Sequence, residues 1–147
     1  MVDFTQDQKP LNSSYCSYSD INALTEILVT NGAYMALYTI VQALINPGDE
    51  VIIIEPFFDC YAPMVRLAGG DPVFVALEPV NDHSSDWKLD LSKVPKSDKL
   101  KAIIINNPNN PLGKVYSLSE LENVARFCTE QNIVCISDEV YEHLVYR

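Results

Sequence analysis

Four short polar clusters hold the residues of this sequence that can do chemistry, and each abuts an apolar run. Thr30-Asn31-Gly32-Ala33-Tyr34 leads into a helical pattern. A helix start presents unpaired N–H groups and a partial positive charge, and Gly32 lets an anionic group approach the backbone closely, as a phosphate site requires. The turn has neither GxGxxG nor a Walker lysine, so it matches no nucleotide fingerprint and also reads as an ordinary tight turn. Glu55-Pro56-Phe57-Phe58-Asp59-Cys60-Tyr61 sets adjacent aromatics after a proline. Both cannot pack into the same core: either one of them faces the cleft, where a planar ligand could stack, or each packs against a neighbouring helix. Asn106-Asn107-Pro108-Asn109-Asn110-Pro111-Leu112-Gly113 places carboxamides on a proline-stiffened loop, able to donate and accept at fixed positions, though turn chemistry alone also uses asparagine and proline. Ser137-Asp138-Glu139-Val140-Tyr141 closes an apolar run with two acids, read either as a site or as a solvated strand end.

The elements that must position these clusters follow from periodicity. Ile27–Thr30 is a short β-prone run broken by Asn31-Gly32. From Ala33 to Ile45, Tyr34, Leu37, Tyr38, Val41, Leu44 and Ile45 recur at helical spacing. Met35, Ala36, Ile40 and Ala43 cover the other side, which predicts a helix buried on most faces and ended by Asn46-Pro47-Gly48. Val51–Ile54 and Ala102–Ile105 are apolar throughout, the pattern of strands buried on both faces of a parallel sheet. A short helix over 59–68, a strand over 72–77 and a polar connection over 78–99 with the only tryptophan, Trp87, lie between them. Ser117 and Glu120 form a capping-box pattern before a helix over 118–131, whose apolar stripe is Leu118, Leu121, Val124, Ala125 and Cys128. A strand over 133–137 follows. The alternation predicts an α/β fold, a mostly parallel sheet with flanking helices, in which ligands bind at the carboxyl ends of strands. All four polar clusters fall at such ends.

Composition narrows the function classes. With 147 residues, 48% hydrophobic and 20% charged, the chain has the material of one folded domain rather than of a disordered or coiled-coil segment. A net charge of -10 argues against nucleic acid as a partner. The apolar runs are far shorter than the roughly 20 residues of a membrane span. Cys16, Cys60, Cys128 and Cys135 show no paired spacing, which predicts reduced thiols and, with only His83 and His143, no metal site. Met1–Phe4 has no leader pattern. A cytoplasmic location is expected, with a mitochondrial one open. Residues 1–20 are polar and aperiodic and are expected to be a disordered, atypical segment.

Taken in order, LVTNGAYMALYTIVQA (28–43), GDEVIIIEPFFDCY (48–61), NNPNNPLGKV (106–115) and ISDEVYEHLVY (136–146) resemble the large domain of fold-type-I pyridoxal-phosphate enzymes. Within them the sequence is most similar to class I/II aminotransferases of the kynurenine aminotransferase/glutamine transaminase K group, also called cysteine-S-conjugate β-lyases. The resemblance covers about residues 21–147. It implies that backbone N–H groups of Gly32, Ala33 and Tyr34 meet the cofactor phosphate and that Phe58 stacks on the pyridine ring. It implies that Asn110 and Tyr141 bond the ring's phenolic oxygen and that Asn106 lies near the substrate carboxylate. Asp138 would pair with the pyridine nitrogen, where a carboxylate favours the protonated ring that withdraws electrons best. Amino acids and 2-oxo acids are the implied substrates, and a homodimer the implied assembly.

The resemblance also implies a lysine that holds the cofactor covalently and shuttles a proton. In the family it lies beyond the Ser-Asp-Glu-Val-Tyr motif. Lys9, Lys88, Lys93, Lys96, Lys99, Lys101 and Lys114 do not occupy that context, so no catalytic residue is assigned here. The expectation is therefore a partial large domain over 21–147, without the lysine segment or the small domain, that does not transaminate by itself. A non-catalytic half-domain pairing with a full-length subunit is the alternative. A Rossmann-like nucleotide or S-adenosylmethionine binder fits worse, because Gly32 stands alone in its turn.

Overall fold

The computed structural model describes residue 22, residues 24–83 and residues 86–145. The expectation for residues 1–20 lies outside the described residues. Helix α1 (Ala33–Leu44) leads into strand β1 (Glu50–Glu55), helix α2 (Tyr61–Leu67) and strand β2 (Asp71–Ala76). After the 78–99 connection come strand β3 (Leu100–Asn106), helix α3 (Leu118–Gln131) and strand β4 (Val134–Asp138). The four strands form one parallel sheet in the order β2-β1-β3-β4. The chain winds outward from β1 to β2, then crosses back and winds outward again from β3 to β4. The order reverses between β1 and β3, the place where parallel α/β sheets bind their ligands.

Both faces of the sheet are covered, as the unbroken apolar strands require. Val51, Ile53, Ala102, Ile104 and Ile136 face α1 and α2, where Leu37, Val41, Tyr61, Met64 and Val65 meet them. Ile52, Ile54, Ile103 and Ile105 face the other way, toward Val124 and Cys128 of α3. The connection is polar in sequence, but it lays Trp87, Leu89, Leu91 and Val94 against that second cluster. Each buried isoleucine contributes about 2 kcal/mol by leaving water, so the two layers hold β1 and β3 firmly and fix where their ends fall.

Several elements differ from the sequence expectation. Residues 27–30 form no strand, because neither outer strand of the sheet, β2 or β4, pairs with them; Leu28 and Val29 are exposed. β-branched residues make a strand only where a neighbour completes the ladder. Helix α1 buries Ala33, Ala36, Leu37 and Val41 but leaves Tyr34, Met35 and Tyr38 bare, so it is covered on one side rather than on most faces. Helix α2 is shorter than 59–68, because Asp59 and Cys60 are spent in the turn before it. On α3 the capping box forms, Ser117 accepting from the Glu120 N–H and the Glu120 side chain accepting from the Ser117 N–H. Leu118 and Ala125 point to solvent, and Phe127 takes their place in the stripe.

Candidate functional site

The carboxyl ends of β3 and β4 lie in register, Asn106 beside Asp138. Alternation along both strands turns these two side chains to the α1/α2 face, where Ala102, Ile104 and Ile136 also point. Asp138 is buried, at 4% exposure. Its Oδ2 accepts a 2.6 Å hydrogen bond from the Tyr61 hydroxyl, and its Oδ1 accepts from the Val140 N–H at 3.2 Å. Among the described residues no cation lies within ion-pair distance of it. A buried carboxylate without a cation is costly, and neutral donors offset only part of that cost. The same carboxylate dictates the state of its neighbours. Burial, then the Asp138 charge and its bond, push the Tyr61 phenol far up, so Tyr61 is a neutral donor. Burial and the charges of Asp138 and Asp59 push the Cys60 thiol up to about 12.

The asparagine loop divides its carboxamides between scaffold and site. Asn106 donates to the Asp138 backbone oxygen at 3.0 Å and accepts from the Asn110 N–H at 2.6 Å, bracing β3, β4 and the loop together. Asn107 accepts from the Tyr116 N–H. Asn109 donates to the Pro56 carbonyl at 3.3 Å and accepts from the Leu112 N–H, tying the β3 loop to the β1 loop across the reversal of strand order. The Asn110 carboxamide reaches instead to the Tyr141 hydroxyl, at 3.3 Å.

The aromatic pair also separates. Phe57 stacks on Phe74 of β2, with centroids 5.5 Å apart and planes 8° from parallel. Phe58 is 38% exposed and meets Tyr61 edge-on at 6.1 Å. Tyr61 therefore touches both Phe58 and Asp138, and the two open on the same side of the sheet. Tyr61 closes the Glu55–Tyr61 cluster, and the sequence alone assigns it no role. Its spacing to Met64 and Val65, the i, i+3, i+4 face that α2 buries, was the available signal.

Helix α1 runs back along the sheet into β1, so its start lies at the strands' carboxyl end. Gly32 sits there at φ 85°, in the left-handed region that favours glycine. No side chain caps the helix, which leaves its first N–H groups facing outward. Ala33 is buried and Tyr34 exposed. Packing of α1 and α2 on one core joins this turn to the face that carries Asp138.

Lys114, the lysine nearest in sequence to these loops, is committed elsewhere. It is fully buried on the α3 side, with its Nζ 3.0 Å from Glu120 and 4.9 Å from the centre of the Tyr116 ring. A separate hollow of about 500 Å³ lies between the Leu91–Lys93 turn and α3, lined by Leu91, Pro95, Leu100 and Phe127, at the amino end of β3 and away from the polar cluster.

A parallel α/β sheet with its polar groups gathered where the strand order reverses defines a ligand-binding α/β domain. The chain belongs to the aminotransferase class I and II family, whose model matches residues 7–147. It is 52% identical over 135 residues to kynurenine–oxoglutarate transaminase 1 of Homo sapiens, covering 86% of this chain and 32% of that protein. It is 54% identical over 136 residues to kynurenine–oxoglutarate transaminase 3 of Bos taurus, covering 88% of this chain and 30% of that one. Among solved structures, N-succinyldiaminopimelate aminotransferase from Mycobacterium tuberculosis superposes with a TM-score of 0.75 at 42% identity, covering 80% of this chain and 30% of that one. Aspartate aminotransferase from Thermotoga maritima gives 0.73 at 42% identity, over 80% and 31%. The chain thus spans about 30% of the length of the relatives it matches. The family is generally pyridoxal-phosphate dependent and usually dimeric. No helix among the described residues is long and apolar enough to cross a membrane.

Proposed function

We propose that this chain is the cofactor-holding part of a pyridoxal-phosphate aminotransferase acting on kynurenine, glutamine or aromatic amino acids with a 2-oxo acid as acceptor. The observation that carries the proposal is the buried Asp138 carboxylate, held by Tyr61 and, among the described residues, without a cation within ion-pair distance. The donor set fits the cofactor. A protonated ring nitrogen supplies the cation that Asp138 lacks. Asn110 and Tyr141 converge closely enough to share one anionic oxygen. Phe58 offers a partly exposed ring face, and the uncapped start of α1 at Gly32, Ala33 and Tyr34 offers N–H donors to a phosphate.

When bound, the cofactor supplies the electron sink for loss of the substrate's α-proton. This chain's residues bind and orient. Asp138 keeps a proton on the ring nitrogen, and Tyr61 fixes the carboxylate that does so. Asn106 uses one of its two amide N–H groups to brace β4, and in this reading the other serves the substrate carboxylate. No lysine of this chain is assigned the proton shuttle, and the 147 residues are expected not to transaminate when mixed with kynurenine and 2-oxoglutarate. Equilibrium dialysis against pyridoxamine 5′-phosphate tests the binding assignment. Asn110→Ala should weaken retention severalfold, and equal retention by the wild type and the variant would remove Asn110 from the site. A cytoplasmic or mitochondrial setting goes with this reading, supported by the free thiols Cys60, Cys128 and Cys135.

The bare flank of α1, with Tyr34, Met35 and Tyr38 exposed, favours a second reading. There the chain acts as a half-domain that pairs with a full-length aminotransferase subunit. Co-purification with such a subunit, lost on Met35→Glu, supports it; a chain that elutes alone in the subunit's presence counts against it.

A further inference from the structure

The turn before α1 carries a chemistry of its own. Asn31-Gly32 is the one asparagine–glycine step in the sequence. It lies immediately outside the helix, with Gly32 at the cap position and Ala33 as the first helical residue. Thr30 closes a tight turn around Asn31: the Gly32 N–H donates to the Thr30 carbonyl at 2.9 Å, and the Thr30 hydroxyl donates to the Gly32 carbonyl at 2.9 Å. Asn31 is therefore the apex of that turn. It is exposed, and among the described residues no hydrogen bond holds its carboxamide. Gly32 brings no Cβ beside the peptide nitrogen that joins it to Asn31. The asparagines of the loop after β3 are guarded by contrast. Asn107 and Asn110 precede prolines, whose nitrogens carry no hydrogen. Asn106 and Asn109 are buried, with their carboxamides bonded to the Asp138 and Pro56 carbonyls.

We infer that Asn31 is a self-modifying site: its deamidation to a carboxylate puts a negative charge at the start of α1 and turns phosphate away, a consequence that rests on the cofactor reading above. In the first step the Gly32 backbone nitrogen attacks the side-chain carbonyl carbon of Asn31. The new C–N bond closes a succinimide ring, the bond to the amide nitrogen breaks, and that nitrogen leaves as ammonia with the Gly32 proton. In the second step water adds to either ring carbonyl and the ring opens. Attack at the side-chain carbonyl gives aspartate; attack at the backbone carbonyl gives isoaspartate, which lengthens the main chain by a carbon. Either product gives its carboxyl proton to water at neutral pH. One water is consumed and one ammonia released, with no change of oxidation state. The attacking and attacked atoms belong to adjacent residues, so water is the only co-reactant. One residue ahead of the cap, the new carboxylate faces the same uncapped N–H groups that would receive a phosphate. It competes for them and repels the anion, while a negative charge at a helix start favours the helix itself. Conversion thus weakens phosphate binding without unfolding α1.

The test is incubation of the full chain in neutral buffer, with peptide mass mapping over time. Asn31 should exchange its amide for a carboxyl well before Asn81, whose carboxamide is bonded to Asp86 and to the His83 N–H. Asn31→Gln should keep its mass over the same period, because its longer side chain closes a less favourable ring. In equilibrium dialysis Asn31→Asp should retain pyridoxamine 5′-phosphate severalfold less than Asn31→Gln, with a urea midpoint that is level or higher. Conversion of Asn31 no faster than that of Asn81 would overturn the inference. So would equal retention by Asn31→Asp and Asn31→Gln where the wild type retains the cofactor. A fresh wild-type chain that retains none would overturn the cofactor reading instead, and the peptide masses would still decide whether Asn31 converts.

Discussion

Two carboxylates illustrate how differently this molecule treats a charge on its two sides. Glu120, on the α3 side, has a cation. Lys114 is fully buried against it, and the Ser117 N–H and hydroxyl complete its shell. Asp138, on the α1/α2 side, is buried at 4% exposure and has, among the described residues, only a phenol and a backbone N–H. A paired charge of the first kind locks a loop to a helix, here Gly113–Val115 to the start of α3. An unpaired charge of the second kind gains little for the chain that carries it and gains much from a cationic ligand. Burial alone would not have separated the two. What separates them is whether the sequence provides the counter-charge.

The largest stability effect should come from breaking the paired side. Lys114→Ala leaves Glu120 without its cation and opens a cavity, and should cost about 3 kcal/mol, at the low end for a broken buried pair because Glu120 still reaches solvent. Urea denaturation reads this, and retention of pyridoxamine 5′-phosphate by the folded fraction should be unchanged. Tyr61→Phe removes the charge-assisted donor to Asp138. It should cost about 2 kcal/mol of stability in the same assay and also weaken cofactor retention, so that the two sides differ in which readouts they move. Ser117→Ala removes the cap of α3 and should cost about 1 kcal/mol, with no effect at Asp138.

The smallest effect is a pH slope. Burial works against the Glu120 carboxylate, but bonds from Ser117 and Lys114 outweigh it and hold its pKa below the usual value. A group whose folded pKa is depressed contributes stability that is complete above its unfolded pKa and is lost as pH falls through the folded one. The urea midpoint should therefore fall as pH drops below the ordinary carboxylate range near 4.5. Glu120→Gln should flatten that part of the curve, and a slope that persists in this variant would assign it to other acids.

The layers were legible from periodicity. Val51–Ile54 and Ala102–Ile105 read as doubly buried strands because no position in them tolerates water, and α3 read correctly from its capping box and its Leu121, Val124, Cys128 spacing. Residues 27–30 were not legible, because a strand depends on a neighbour and the local run shows only β propensity. The density of asparagines drew attention to the right loop. Which of them serve the backbone and which points away was decided by partners such as Pro56 and Tyr141, which no local spacing reveals. Local spacing to Met64 and Val65 marks Tyr61 as buried but not what it does, since its partner Asp138 lies 77 residues further along the chain.

The measurement closest to the centre of this account is the affinity of the folded chain for pyridoxamine 5′-phosphate with and without the Asp138 charge. Asp138→Asn keeps the shape and removes the anion; its oxygen can accept from the Val140 N–H while its amide donates to the Tyr61 oxygen. Retention in equilibrium dialysis should fall about tenfold or more, the scale of a charge-assisted bond, while the urea midpoint stays level or rises. Equal retention by the wild type and Asp138→Asn, or no retention by a folded wild-type chain, would contradict the claim that this buried carboxylate awaits a cationic ring.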